Sequence, residues 1–519
     1  MAQSEPSFNL WSAPWITVEQ SDGALAEMGI EETLLRASEL RAIYDPSPLV
    51  IVGIHRLLTA VLQDALEPQR PSDLRRLWEG GCFPEAKIRQ FGAMYAHRFD
   101  LFSEDEPFLQ SADLPRQPPP RAKGVKPVTY LMPDFPAGTE VTHYRHGAAE
   151  DNAFCLTCAA RGLVTIPPFA TSGGAGIKPS INGVPPIYVL PGGKTLFESL
   201  TASLVLPDPR YQPAAASTTK DAVWWKREPL VKHKAVVHEV GYLHSLTFPA
   251  RRVRLHPERL DANCSRCGQN SSWGVRSMVY QMGESRPKDA PFWFDPFAAY
   301  RIRGEKEPVP IRPVEGKALW REFAALFLPS IAEGQERTQP PSVLYQRVEE
   351  GIGSDYHFLP YRCIGIRTDM KAKVFEWIDA GFDVPVSLIH DVDGGEEVRQ
   401  GIEFASDCAG IIASTFRKTF TPEGRQSEHH AELRRRMVDA YWAALAGPFR
   451  HFVLEVAKRE TREPARHRWI DRVVEEANAV FKVYSEMTGR DAAALRERVT
   501  GQRACDIRLK ARRKKAIGG

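Results

Sequence analysis

The 519-residue chain has little of several things, and each lack narrows what it can be. No stretch approaches the roughly 18 consecutive apolar residues of a membrane-spanning helix. The opening Met1-Ala2-Gln3-Ser4-Glu5-Pro6 lacks the basic-then-apolar order of a signal peptide, so a cytoplasmic protein with no membrane partner is expected. Bulk charge is lacking too: the net value is only +3, so a nucleic-acid role has to rest on local basic patches. Cysteines number eight, and a reducing compartment argues against disulfides. Complete nucleotide and catalytic motifs are missing. Gly193-Lys194-Thr195 would need a glycine where Tyr188 stands to be a phosphate loop, and reads as a turn beside a strand. Asp391-Val392-Asp393-Gly394-Gly395 has the wrong spacing for a calcium loop and reads as a linker turn. His430-Ala431-Glu432 matches half of a zinc-deaminase signature, but it follows both cysteine pairs, and Phe154 and Asn263 stand where that signature needs proline. No internal repeat and no nucleophile–base pair stands out.

What is present begins with those cysteines. Cys155-Leu156-Thr157-Cys158 and Cys264-Ser265-Arg266-Cys267 are two Cys-x-x-Cys pairs. A two-residue spacer lets both thiolates of a pair converge on one ion, and two pairs complete a closed tetrahedron. Structural Zn2+ is the expected occupant. Unligated buried cysteines, the competing reading, would need two matched spacings by chance. A closed set leaves no position for water or substrate, so catalysis by the metal is not expected. The pairs stand far apart in sequence, so the ion would pin two remote segments together.

The chain is long enough for two or more domains. Residues 8–20 read as short strands around a turn at Ser21-Asp22-Gly23. Glu31 to Leu40 reads as a helix, and Asp45-Pro46-Ser47-Pro48 caps an apolar helix from Leu49 to Leu66. Strands are expected at Ile187–Leu190, Arg251–Leu255, Val275–Met282 and Tyr361–Ile366, among turn-rich segments. After about residue 385 four helical stretches follow: Glu397–Thr419, Glu428–Lys458, Glu463–Thr488 and Asp491–Ala516. Ile402, Phe404, Ala405, Cys408, Ile411 and Ile412 keep helical spacing, as do Trp469, Val473, Ala477, Phe481 and Tyr484. The expected fold is α+β: a mixed domain over 1–385 with a structural zinc site, then an all-α four-helix bundle over 386–519.

Three basic patches could meet phosphate: Arg251-Arg252-Val253-Arg254, Arg434-Arg435-Arg436 and Arg508 to Lys515. A solvated terminal face accounts for the last equally well. The loop Thr171-Ser172-Gly173-Gly174-Ala175-Gly176-Ile177-Lys178 lets bare backbone approach another surface, with Lys178 beside it. That suits a groove or a phosphate; an ordinary interstrand loop is the alternative. In Ile366-Arg367-Thr368-Asp369-Met370-Lys371-Ala372-Lys373 a flexible apolar side chain sits among three cations, as in minor-groove wedges. A helix start capped by Thr368 or Asp369, with Met370 packed inward, fits the same residues.

Taken in order, Phe8-Asn9-Leu10 with Pro14-Trp15-Ile16, then Pro107-Phe108-Leu109-Gln110, the cysteine pairs, the glycine loop and the terminal helices resemble the CasA family across nearly the whole chain. These are the large subunits of the type I-E CRISPR complexes called Cascade. The resemblance implies a non-catalytic, antiviral DNA- and RNA-binding subunit partnered by other Cascade subunits and crRNA. It would read the protospacer-adjacent motif (PAM) in double-stranded target DNA, wedge the duplex open to start the R-loop, and recruit a helicase-nuclease. By position, Tyr144, Arg145 and His146 resemble the loop at the flank and crRNA end, and Gly173 and Gly174 the loop against the minor groove. Arg286 or Lys288 resembles a base-reading lysine, and Arg367 to Lys371 the wedge. Asp369-Met370-Lys371 departs from the Asn-Gln tip common in that family, so the preferred flank stays open. A zinc-containing nucleic-acid-processing enzyme or nuclease, and a scaffold that only bridges proteins, are the competing functions.

Overall fold

The computed structural model describes residues 6–116, 124–132, 152–171, 181, 183–212, 221–228, 231, 234–287, 289–314, 316–328, 336–368, 374–421 and 428–518. It falls into two compact units. One is Met1–Pro313 with Pro341–Asp383; the other is Val314–Pro340 with Val384–Gly519. Residues 314–340, which the sequence reading leaves in the first domain, thus belong with the helices.

The first unit opens on a small antiparallel sheet. Strand β1 (Ile16–Gln20) lies between β2 (Leu25–Met28) and β3 (Leu40–Ile43), with Ile16 opposite Met28 and Val18 opposite Ile43. Gly23 turns the first hairpin at φ +86°, and Asp22 accepts the Ala24 N–H at 2.9 Å. The expected Glu31–Leu40 helix is shorter, Ile30–Leu35, because Leu40 and its neighbours pair with β1 instead.

Helix α1 (Pro48–Leu66) is the core of this unit. Pro48 presets the first turn, and Glu67 ends the helix in a left-handed conformation, φ 46°. The helix is long and apolar enough to cross a membrane, which the sequence reading did not expect, yet nearly all of it is buried in the folded unit. A helix apolar on all sides is a core helix when protein surrounds it. Several of its buried polar groups are matched. Arg56 meets Asp295 at 3.0 Å, Gln63 exchanges hydrogen bonds with the Val205 backbone, and Asp64 takes Lys226 at 2.6 Å.

Strand β4 (Phe154–Cys155) leads straight into α2 (Leu156–Leu163), and β5 (Tyr188–Pro191) follows. Strands β6 (Arg251–Asn263) and β7 (Asn270–Met282) then form a hairpin with 13 residues per arm, far longer than the two short strands expected. β7 also carries β4 and the strand Val125–Pro127. The outer halves of the arms are rich in Pro, Glu, Asn and Ser, which mask the strand pattern; cross-strand pairing overrides them. Arg251, Arg252 and Arg254 are buried, which removes them as a phosphate patch. Arg251 holds the Ala250 carbonyl and Tyr280, Arg252 pairs with Asp113, and Arg254 reaches the Ser103 and Glu104 carbonyls.

A third sheet joins β5, β8 (Phe358–Thr368) and β9 (Val374–Pro385) in the order β9-β8-β5. The sequence reading has no β9. Arg362 and Asp379 tie β8 to β9 with two hydrogen bonds, 2.6 and 2.8 Å.

The second unit holds α3 (Val392–Phe420), α4 (Glu428–Ala444), α5 (Ala446–Val456), α6 (Arg462–Ser485) and α7 (Ala492–Ile517). α3 starts earlier than expected. Asp391 is no linker turn: it caps the helix by accepting the Gly394 N–H at 3.0 Å, and Arg462 clamps its other oxygen at 2.5 Å. The expected Glu428–Lys458 helix breaks at Leu445, between α4 and α5. Pro448, three positions further on, has no N–H and its ring opposes the carbonyl one turn back. Phe404, Cys408, Ile412, Trp469, Val473 and Phe481 face the bundle core; Ile402, Ile411 and Tyr484 are half-buried. Trp320, from 314–340, fills the core, 4.5 Å from Phe449 and 5.6 Å from Trp442 between ring centroids.

Candidate metal centre and nucleic-acid interface

Local structure brings each cysteine to its place. Cys155 ends β4 opposite Gly274 of β7 and is the capping residue of α2, which sets Cys158 one turn into the helix. Gly274 is needed there: a Cβ would lie 2.6 Å from Leu260 and 2.8 Å from the Phe154 carbonyl. The second pair sits at the turn of the β6–β7 hairpin, closed by Gly268 at φ +76° with its N–H on the Cys264 carbonyl at 2.9 Å. Ser265 and Ala153 exchange two hydrogen bonds, 2.8 and 3.0 Å, and so dock the hairpin turn onto β4.

The four sulfurs all lie within 4.8 Å of one another, with Cys155 and Cys267 3.8 Å apart. A tetrahedron with Zn–S bonds of about 2.3 Å has edges of roughly 3.8 Å. None of the four is in a disulfide. Backbone N–H groups of Cys155 and Arg266 point at Cys264 Sγ from 3.2 and 3.4 Å, as donors do around metal thiolates. The donor set fits a structural zinc ion. Packed this closely, the thiols do not titrate alike. Hydrogen bonds from Cys155 and Cys158 hold Cys264 far below the usual thiol range, and one from Cys158 lowers Cys267 to about 6. Cys158 is pushed well up by hydrogen bonds to Cys155, Cys264 and Cys267.

Sequence reasoning missed the residues behind the sulfurs. Arg266 Nη1 is 3.8 Å from Cys158 Sγ, and its Nη2 pairs with Asp45, which is fully buried. The signal was in plain view, an arginine inside a metal-binding spacer, but its partner lies 221 positions away.

Of the expected nucleic-acid contacts, Tyr144, Arg145, His146, Gly173, Gly174, Lys178, Lys288, Asp369, Met370 and Lys371 lie outside the described residues. Arg286 and Arg367 are described. Arg286 follows β7, half-buried, and donates to the Pro291 carbonyl; burial lowers its pKa. Arg367 lies near the end of β8 and meets Glu376 of β9 at 3.3 Å. The helix start weighed from sequence falls on 369–373, which lie outside the described residues, after β8 and before β9. In the helical unit Arg435 and Arg436 share Glu432, each at 2.8 Å, and Arg512 and Arg513 pair with Asp407 and Asp471. His430 Nδ1 meets the Phe420 carbonyl at 2.9 Å, a helix-end contact.

The family model of CRISPR-associated protein Cse1 (CRISPR_cse1) matches residues 9–479. The chain belongs to the Cse1 family. A CRISPR-associated protein CasA/Cse1 from Thermus thermophilus is 34% identical to this Cse1 chain over 335 residues, 62% of the chain and 60% of the relative. The match thus spans about three-fifths of that relative's length. The Cse1 crystal structure from Acidimicrobium ferrooxidans superposes with a TM-score of 0.78 at 23% identity, covering 99% of both chains. A chain in the structure of a CRISPR RNA-guided surveillance complex shares the fold, with a TM-score of 0.73 at 18% identity over 97% of this chain and all of that one. At those identities the two structures speak for the fold of this Cse1 chain.

Proposed function

We propose that this Cse1 chain is the non-catalytic large subunit of a type I-E, crRNA-guided Cascade complex. In this reading it recognises the PAM in double-stranded DNA, starts strand separation and offers a surface to a helicase-nuclease. The observation that carries it, beyond family membership, is the β8–β9 hairpin. It is a two-stranded arm stiffened by the Arg362–Asp379 pair, with Asp369-Met370-Lys371 in its connecting segment. An apolar side chain on a braced arm can enter a base step while neighbouring cations hold the backbone. Guide pairing supplies sequence specificity, and the protein reads only the flank and duplex shape. Gly173 and Gly174, Lys178, the Tyr144-Arg145-His146 loop, and Arg286 or Lys288 supply the flank contacts.

The four cysteines hold structural Zn2+, which when bound supplies a cross-link and no reacting group. Their closed donor set leaves no coordination position for a water, which weighs against the zinc-nuclease alternative.

The test uses the reconstituted complex with crRNA and a duplex library randomised at three flanking positions. Binding should select a subset of flanks. Met370→Ala with Lys371→Ala should slow strand opening, read by a fluorescent base beside the flank, and Gly174→Asp should weaken binding by placing bulk and negative charge against phosphate. Substituting Arg434–Arg436 should weaken binding about equally on all flanks and lower its salt dependence. Flank-independent binding that survives all of these changes would leave only a protein scaffold.

A further inference from the structure

Arg266 occupies the spacer of the second cysteine pair and addresses one sulfur from each pair. Its backbone N–H points at Cys264 Sγ from 3.4 Å and its guanidinium at Cys158 Sγ from 3.8 Å. The other arm of the guanidinium is gripped by Asp45. Asp45 is itself fixed from two sides. Its Oδ1 accepts the Ser47 N–H at 2.8 Å, at the start of α1, and its Oδ2 faces Arg161 Nη1 at 3.7 Å. Arg161 in turn donates to the Trp15 carbonyl at 2.9 Å, Thr17 Oγ1 at 2.7 Å and Glu27 at 2.6 Å. A continuous run of polar contacts therefore leads from a cysteine sulfur to the β1–β2 hairpin.

Four thiolates around a divalent ion carry an excess of negative charge, and an excess charge away from water is costly unless something opposes it. Cys155, Cys158 and Cys264 are buried, and the Arg266 guanidinium sets a positive charge against Cys158 among them. A lysine could not do the same work: it would bring a point charge, whereas the planar fork reaches sulfur and carboxylate at once. We propose that Arg266, locked by Asp45, is a positioning residue for the metal centre: it holds Cys158, opposes the charge of the tetrathiolate, and so sets how slowly the ion leaves. Through Asp45 and Arg161 the same contacts couple metal retention to the seating of the N-terminal sheet. This rests on the zinc reading above. The competing account is that Arg266 only bridges the hairpin turn to Asp45 for packing and does not act on the sulfurs.

The experiment takes full-length protein and its Arg266→Gln, Arg266→Lys and Asp45→Asn variants. Each is loaded with Zn2+ and mixed with excess of a chromophoric chelator to read the release rate; each is also loaded with Co2+ to read the thiolate-to-metal absorption band. The parent should bind one ion per chain. Arg266→Gln should release Zn2+ about 10–100-fold faster and shift the cobalt band, the size of effect usual for groups behind metal ligands. Arg266→Lys and Asp45→Asn should fall between. Arg259→Gln, an exposed change on the same hairpin arm where Arg259 stacks on Trp273, should match the parent. Parent-like release and an unshifted band in Arg266→Gln, or in Arg266→Lys should the first variant not fold, overturn the proposal while leaving the metal site intact. A parent that takes up neither ion overturns the metal site and this proposal together.

Discussion

His55 is fully enclosed inside α1, and its chemistry can be read from one neighbour. Its Nε2 lies 2.8 Å from Ser203 Oγ, and that hydroxyl donates to the Ser199 carbonyl at 2.8 Å. The hydroxyl hydrogen is committed, so Nε2 carries the proton and donates. Burial, and then the Arg56 charge, lower its pKa from 6.5 to about 3. The unfolded chain therefore takes up a proton that the folded one refuses. The stability contributed by the neutral ring is whole above pH 6.5 and is lost as pH falls toward 3, at roughly 1.4 kcal/mol per pH unit. Melting temperature against pH should show this slope, and His55→Gln should flatten it between those limits. A parent melting temperature that does not move across that window would mean the ring is charged in the fold. The motif residues behind the family resemblance are of the same bracing kind. Trp15 Nε1 donates to the Leu10 carbonyl at 2.9 Å, and Gln110 bridges the Leu101 carbonyl and the Leu255 N–H at 2.7 and 2.8 Å. They identify the chain because the fold needs them.

Among the elements, the helices were the most legible in the sequence. A sustained 3.6-residue repeat shows itself without its partners, and α3 and α6 fall close to where that repeat places them; α1 was legible from its Asp-Pro-Ser-Pro cap and apolar run, and α7 from a long stretch without helix breakers. The break before α5 was carried by Gly447-Pro448 and was passed over. Strands were harder, since β9 and the outer arms of β6 and β7 owe their form to neighbours that periodicity does not reveal. The cysteine site was legible because its signal is a spacing; its supporting carboxylate was not, because Asp45 comes from another part of the chain. Element packing yields a second prediction. Gly401 of α3 gives its carbonyl to Trp469 Nε1 at 2.9 Å, and a Cβ there would lie 2.6 Å from Phe452. Gly401→Ala adds a methyl to a full interface and should cost about 1–3 kcal/mol despite alanine's better helix propensity. A thermal melt of the variant at or above the parent's would show that the ring stack yields.

For the whole molecule, the second unit is not a contiguous piece of sequence. Trp320 is buried among Trp442, Phe449 and Trp469, and Arg321 lies over the Trp442 ring at 3.7 Å. A fragment of 384–519 alone should expose that aromatic face, bind a hydrophobic dye and melt below the same fragment supplied with a 314–340 peptide. Equal melting with and without the peptide would make the insertion dispensable.

The cysteine pairs have a topological consequence. Cys155 and Cys264 are 109 positions apart yet converge on one cluster of sulfurs, so with zinc bound as proposed the polypeptide between them would be a closed lasso, tied by an ion in place of a covalent bond. A protease that snips the lasso once should yield two pieces that travel together through a sizing column, and stripping the metal away should lower the denaturant concentration at which they part company.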